Sequence, residues 1–204
     1  SGATINWTDW TSYTTGVSGS ASGAIEPGLT LTYSGDVTFA QTGTGTNYWT
    51  EGAPAPYTGN SVVDNAPTAS EMIAMSMVST NNTVTFSHAV ANPIMAIVSQ
   101  GQPGFPVSYD FNTPFTLLSE GRGYWGDGSY NLLAGDILQG YELHGGIQFT
   151  GNVSSISWNT TPAEYWHGFT IGTVAASPVP EPASLLLMGS GLAGLALVRR
   201  KFKK

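Results

Sequence analysis

The sequence contains no cysteine and almost no basic residue before its last six positions. The absence of cysteine excludes a disulfide scaffold and thiolate chemistry. Residues 1–178 contain no lysine, and Arg122 is their only basic residue. The same stretch carries 12 acidic side chains, which gives it a formal charge of −11. Such a surface disfavours nucleic acid and other polyanions, because phosphate binding needs Lys and Arg.

Recognisable catalytic motifs are also missing. The chain has no Gly-x-Ser-x-Gly elbow, and a phosphate-cradling loop that needs lysine cannot form in residues 1–178. We therefore do not expect an enzyme. Hydrolysis by paired carboxylates needs no sequence motif, however, and 12 acidic residues make some pair inevitable. An extracellular glycan hydrolase stays the second alternative.

What the chain does contain is typical of a β-protein rich in turns. It has 26 glycines, 12 prolines and 11% aromatic residues. Apolar and polar residues alternate in several short segments, which is the signature of half-buried strands. The alternation predicts these inward-facing side chains: Val84, Phe86, Ile147, Phe149, Ile156, Trp158, Phe169 and Ile171.

Three segments depart from this alternation. Residues 93–98 form an unbroken apolar run that predicts a central strand. Residues 71–78 fit neither the helical nor the strand period, and residues 43–70 predict a long loop or a lid. We expect residues 1–176 to form one antiparallel β-sandwich, jelly-roll-like, with ten to twelve strands. The chain begins at Ser1 without Met, which fits a processed chain and equally a trimmed one.

The last 28 residues divide into a linker, an apolar run and a basic end. Residues 177–182 cannot be helical through their prolines. Residues 183–198 carry no charge, and a helix of that length spans about 24 Å. The hydrocarbon core of a bilayer is about 30 Å thick, and flanking apolar residues and snorkelling basic side chains can make up the difference. We expect residues 183–204 to form a single-pass transmembrane helix with a basic cytoplasmic tail, leaving the body outside the inner membrane. The alternative is a buried core helix with a frayed end.

The tail also resembles a known sorting signal. Val179-Pro180-Glu181-Pro182, the apolar run, and Arg199-Arg200-Lys201 together look like the PEP-CTERM signal. The resemblance implies that exosortase, a transpeptidase, recognises the Pro-Glu-Pro segment and removes the hydrophobic tail. It further implies a Gram-negative host with an exopolysaccharide programme, inner-membrane anchoring before processing, and a final place at the cell surface or in the biofilm matrix. It says almost nothing about the activity of the body.

Part of the body is similar to a domain that recurs among PEP-CTERM proteins. The resemblance covers residues 83–172 and rests on segments such as Gly140-Tyr141-Glu142-Leu143-His144-Gly145 and Trp166-His167-Gly168-Phe169. That group has no settled activity. The resemblance therefore implies a β-rich fold and export only.

Aromatic residues in or beside the predicted loops are the best indication of a binding site. Flat rings next to Asp, Asn and Gly can stack on sugar faces, and a neutral glycan tolerates an acidic surface. The alternative is that these rings plug the ends of the sandwich. The candidate glycan-binding residues are Trp49, Tyr124, Trp125, Asp127, Tyr130, Tyr165 and Trp166.

Two sets of residues could hold a metal ion. Asp127 and Asp136 lie in a glycine-rich stretch whose oxygens suit calcium, unless they only form Asx-type turns. Glu142 and His144 share a face of a strand and could bind a transition metal with His167, unless they only hydrogen-bond across strands. We therefore expect no certain cofactor, with calcium as the candidate.

Three functions stay open for the body. The first is a structural or adhesive matrix protein that interacts with exopolysaccharide. The second is a homo-oligomeric subunit that self-assembles through exposed strand edges, since a sheet without lysine lacks a common guard against edge pairing. The third is the hydrolase described above.

Overall fold

The computed structural model of the chain describes residues 2–175, and these contain strands but no helix. The predicted linker and transmembrane helix, residues 177–204, lie outside the described residues. In chain order the fifteen strands are β1 (Ile5–Trp7), β2 (Asp9–Thr14), β3 (Gly16–Glu26), β4 (Leu29–Val37), β5 (Phe39–Gln41), β6 (Met72–Met75), β7 (Ser79–Ala91), β8 (Ile94–Gln100), β9 (Val107–Phe111), β10 (Phe115–Glu120), β11 (Ser129–Leu133), β12 (Ile137–Tyr141), β13 (Leu143–Phe149), β14 (Asn152–Thr161) and β15 (His167–Val174).

The strands form two antiparallel sheets. The first sheet has the order β10-β13-β8-β15-β6-β5, with β1 also paired to β15. The second sheet has the order β11-β12-β9-β14-β7-β4-β3-β2. The all-β, two-sheet prediction is confirmed, although the strands number fifteen rather than ten to twelve.

The second half of the chain folds as nested strand pairs. β8 pairs with β15, β9 with β14, β10 with β13, and β11 with β12. Members of successive pairs alternate between the two sheets. This nesting of one long hairpin over two sheets favours the jelly-roll-like topology.

The main core lies between the sheets. Each side chain that the alternation pattern directs inward is buried there, with Trp158 of the second sheet packed edge-on against Phe169 of the first. Closely packed aromatic pairs of this kind contribute beyond their buried area. The period-two pattern therefore located the inner faces correctly.

A second core covers the outer face of the first sheet. Residues 43–70 contain no strand, and they lay Trp49, Tyr57 and Val63 against Ile94, Ala96 and Val98 of β8. Strand β8 is consequently buried on both faces, as its unbroken apolar sequence predicts. The long loop is thus a packed layer of the fold, which we call the outer layer.

Candidate functional site

A tight turn presents two aromatic side chains at one end of the outer layer. Gly123 and Gly126 exchange two backbone hydrogen bonds, of 2.9 and 3.1 Å, and Tyr124 and Trp125 occupy the tip between them. Gly126 has a φ of +114°, which side chains rarely permit. A Cβ on Gly123 would lie 2.3 Å from the ring of His144, so only glycine lets the turn approach β13 this closely.

Trp125 is the centre of a cluster of rings that we call the aromatic cluster, formed by Tyr48, Tyr124, Trp125 and Trp166. Trp125 stacks on Tyr48 with ring centroids 5.4 Å apart and an interplanar angle of 16°. It meets Trp166 edge-on at 4.7 Å and Tyr124 edge-on at 4.6 Å. Despite these contacts Trp125 remains 44% exposed. The cluster therefore holds one indole in a fixed orientation while leaving much of it open to solvent.

Beside this cluster lies a depression of about 270 Å³, which we call the aromatic-walled cavity. Its walls carry three rings and two carboxylates. The lining residues are Ser99, Gln102, Pro103, Trp125, Glu142, Glu164, Tyr165 and Trp166. This lining contains no basic side chain. The cavity thus combines flat apolar surfaces with hydrogen-bond acceptors.

Glu142 is held on one side of the cavity by its neighbours. Its Oε1 accepts a 2.6 Å hydrogen bond from the Ser99 hydroxyl and lies 3.5 Å from His144 Nε2. Ser99 and Glu142 have φ values of +59° and +63°, a left-handed conformation that is uncommon for non-glycine residues. Backbone strain of this kind concentrates at functional sites, where the surrounding structure must maintain it.

Glu164 is the second carboxylate of the cavity. Its Oε1 accepts a 2.8 Å hydrogen bond from the backbone N–H of Gly101. Burial raises the pKa of Glu164 to about 7; the Gly101 bond opposes the rise, and the nearby Glu142 adds to it. Near neutral pH, Glu164 therefore exists as a mixture of acid and carboxylate, and it can donate as well as accept a hydrogen bond.

The structure separates the seven predicted glycan-binding residues into groups. Tyr124, Trp125 and Trp166 converge in the aromatic cluster, and the neighbouring Tyr165 is 90% exposed. Trp49 is instead buried, edge-on to Tyr57 in the second core, so it is inaccessible to a ligand.

The remaining two residues of the predicted set lie apart from these rings. Tyr130 is partly buried on β11 and packs against the main core. Asp127 is exposed next to the Gly123–Gly126 turn, but it does not line the aromatic-walled cavity. Only some of the seven predicted residues therefore form one surface.

Neither predicted metal set comes together as a whole, although Glu142 and His144 are in contact. Asp127 and Asp136 lie beyond opposite ends of β11, and a strand of five residues separates its ends by roughly 13 Å. His144 faces the outer layer beneath Gly123, whereas His167 is buried in the sandwich and contacts the Tyr109 hydroxyl of the second sheet. Across residues 2–175, no group of three or more His, Asp or Glu side chains is arranged to hold a metal ion.

Sequence reasoning did not single out Ser99, Gln102 or Glu164 as site residues. The one signal available for Glu164 was its place directly before Tyr165-Trp166, a carboxylate beside two aromatic residues. Ser99 and Gln102 come after the apolar run of residues 93–98, which predicts only a core strand, and nothing in their local sequence marks them as site residues.

Comparison with known protein families decides the nature of the C-terminus. Residues 178–201 match the model of the PEP-CTERM protein-sorting motif. The chain carries a PEP-CTERM sorting signal. The match includes each predicted signal residue: Val179, Pro180, Glu181, Pro182, Arg199, Arg200 and Lys201. No curated protein and no solved structure matches the chain.

The PEP-CTERM motif supports export and membrane-associated sorting in a Gram-negative bacterium, and it implies processing by exosortase at the membrane. It does not extend into the body, so the resemblance of residues 83–172 to a recurring domain stays a prediction. Within residues 2–175 there is no helix long and apolar enough to cross a bilayer. The predicted membrane span at residues 183–204 lies outside the described part of the chain.

Proposed function

We propose that this exported protein binds neutral polysaccharide outside the cell through the aromatic-walled cavity, as a structural or adhesive matrix component without catalytic turnover. The observation that carries the proposal is the combination of half-exposed Trp125 with Trp166 and Tyr165 around a cavity that also holds Glu142 and Glu164.

The rings supply the apolar part of such a site. A sugar ring has a face of C–H groups that can lie on an indole, and the affinity comes mainly from the apolar area removed from water, at about 25 cal/mol per Å². Trp125 is fixed by its stack on Tyr48 and its edge contacts, so little side-chain freedom is lost when a ligand binds. A fixed, open indole is therefore a suitable platform.

The polar groups of the cavity match sugar hydroxyls. The carboxylates of Glu142 and Glu164 accept hydrogen bonds, and protonated Glu164 and the amide of Gln102 can also donate. The formal charge of −11 on residues 1–178 repels uronic acids, phosphates and other anionic polymers. A neutral polysaccharide avoids that repulsion, and the export signal would bring the protein to where such polymers lie.

Retention on an immobilised polymer tests the proposal. The full chain, in a zwitterionic detergent without sugar headgroups, should be retarded on a column of the host's own neutral exopolysaccharide. It should pass unretarded through a polygalacturonate column of equal loading. Elution with the void volume from both columns, or stronger retention on the anionic polymer, would contradict the proposal.

A glycan hydrolase is the second candidate, because the two carboxylates share one cavity and Glu164 retains a proton near neutral pH. Glu164 would protonate the glycosidic oxygen as the C–O bond breaks. Glu142, which accepts a hydrogen bond from the Ser99 hydroxyl, would take a proton from the water that adds to the sugar carbon. The reaction would consume one water molecule.

Release of reducing ends distinguishes this candidate from binding alone. The host polysaccharide is incubated with the full chain and with the Glu164→Gln variant, in which the acid is replaced by an amide of similar shape. Reducing ends that accumulate with the wild type and not with Glu164→Gln would establish the hydrolase. Equal background release from both would support binding without turnover.

A further inference from the structure

A second, larger depression adjoins the aromatic-walled cavity. It has a volume of about 580 Å³ and is lined mainly by apolar side chains, among them Met77, Phe105, Val107 and Pro162. Phe105 is 74% exposed and Met77 is 47% exposed. Large apolar side chains grouped at an open surface are typical of interaction sites.

The two depressions are continuous. Gln102, Glu164 and Tyr165 line both of them. Glu164 is fixed between them, since its carboxylate accepts the Gly101 N–H and its backbone N–H donates to Ser76 O at 3.1 Å. A ligand lying along the surface would therefore pass directly from one depression to the other across Glu164 and Tyr165.

Each depression has an aromatic residue that is carried by its own tight turn. Gln102 and Phe105 exchange two backbone hydrogen bonds of 2.9 Å, with Gly104 at a φ of +83° between them. Gly123 and Gly126 form the equivalent turn that carries Trp125. Two short turns thus present Phe105 and Trp125, one to each depression.

The aromatic-walled cavity by itself is small for a ligand site. Ligand sites in proteins usually occupy roughly 300–1,000 Å³. The aromatic-walled cavity, at about 270 Å³, lies below this range, whereas the two depressions together lie within it. A single sugar bound at Trp125 would leave the larger apolar depression empty.

We infer that the two depressions form one groove that holds an internal stretch of a neutral polysaccharide, with Trp125 contacting one sugar unit and Phe105 contacting another. The inference rests on the proposed function. It adds that the protein recognises the length of a chain and not a chain end or a free monosaccharide. Phe105 is then the residue that only longer fragments reach, and Tyr165 contacts the ligand between the two subsites.

A length series of oligosaccharides tests the inference. The probes are reduced fragments of one to six sugar units prepared from the host's neutral exopolysaccharide, titrated calorimetrically into the full chain. The wild-type affinity should rise at least tenfold between the shortest fragment that binds and the longest. Phe105→Ala should remove most of that rise while leaving the affinity for the shortest fragment unchanged. Trp125→Ala should weaken every length by a similar factor.

Leu132→Ala is the matched control, because Leu132 is 54% exposed but lies on the edge strand β11, outside both depressions. It should leave the whole series unchanged. If affinity does not depend on length, or if Phe105→Ala weakens the shortest and longest fragments equally, the extended groove is wrong and the proposed function survives.

Two further outcomes would assign the surface differently. Absence of binding at every length would remove the proposed function and the extended groove together. A dimer in sedimentation that Phe105→Ala dissociates would assign the larger depression to a second copy of the chain.

Discussion

Replacing Trp125 with alanine separates ligand binding from packing in the aromatic cluster. A tryptophan side chain presents up to about 250 Å². With 44% exposed, roughly 110 Å² of Trp125 is open to a ligand. A sugar face covering about half of this area would contribute about 1.4 kcal/mol at 25 cal/mol per Å². Trp125→Ala should therefore weaken polysaccharide binding about tenfold.

The packed part of Trp125 sets the accompanying loss of stability. About 140 Å² is covered by Tyr48, Tyr124, Trp166 and their surroundings, which corresponds to an upper limit of about 3.5 kcal/mol. Allowing for the area that an unfolded chain already buries lowers this to about 2 kcal/mol. In a domain of this size the melting temperature should fall by about 4–8 °C.

Trp49 provides the contrasting variant. It is only 2% exposed and packs edge-on to Tyr57, so Trp49→Ala should cost about 3–5 kcal/mol of stability. Any molecules that remain folded should bind with unchanged affinity. Calorimetric titration and thermal unfolding of the wild type and both variants measure the two effects. A Trp125→Ala affinity within twofold of wild type, or a melting temperature as low as that of Trp49→Ala, would refute the reasoning.

Three further predictions concern the tail, the partly buried Glu164 and the buried His167. Deleting residues 179–204, which include the PEP-CTERM motif and the predicted span, should release the body into the medium; its recovery in the membrane fraction would contradict the anchor. Because the folded pKa of Glu164 is about 7 rather than 4.5, ionisation destabilises the fold as the pH rises from about 4.5 through 7. After allowance for partial exposure, the free energy of unfolding of Glu164→Gln should therefore exceed that of the wild type by about 1–2 kcal/mol at pH 8 and by little at pH 4.5. Urea titrations that give the same difference at both pH values would count against this prediction. Burial lowers the pKa of His167 to about 3 from its usual 6.5, so the stability it contributes is present above pH 6.5 and falls by about 3 kcal/mol by pH 4. The stability difference between wild type and His167→Gln should shrink over that interval, and a difference that is constant from pH 7 to pH 4 would show that His167 does not titrate with the fold.

The inner faces of the sheets were predictable because burial on one face leaves a period of two in the sequence. The strand within residues 71–78 was not predictable, because β6 is buried on both faces. Met72 and Ala74 face the outer layer, whereas Ile73 and Met75 face the main core. A strand covered on both sides has no alternation to detect. The unbroken apolar run of β8 was recognised because it is longer and flanked by clear turns.

The difference between Trp49 and Trp125 could not be predicted from local sequence. Both follow a tyrosine in a glycine-rich segment. Trp49 is buried because residues 43–70 fold back onto the first sheet, whereas Trp125 stands at the tip of a two-residue turn. Exposure is decided by this long-range packing.

Long-range packing also decides which carboxylates share the cavity and why the predicted transition-metal ligands do not converge. Glu142 directly precedes β13, and Glu164 lies 22 positions later in the loop before β15. Both line one cavity because β13 and β15 flank β8 in the first sheet. The predicted ligands His144 and His167 lie on these two strands themselves, but on opposite faces of the sheet. Strand order and register are not visible in the spacing of the residues.

Two-dimensional NMR of the tryptophan indole N–H groups, recorded as fragments of the host's neutral exopolysaccharide are added, tests the central claim most directly. The chain has six tryptophans, and only Trp125 and Trp166 line the aromatic-walled cavity. The signals of these two should shift saturably, while those of the buried Trp10, Trp49 and Trp158 stay in place. Unchanged signals from Trp125 and Trp166 at saturating fragment, or shifts confined to the other tryptophans, would contradict it.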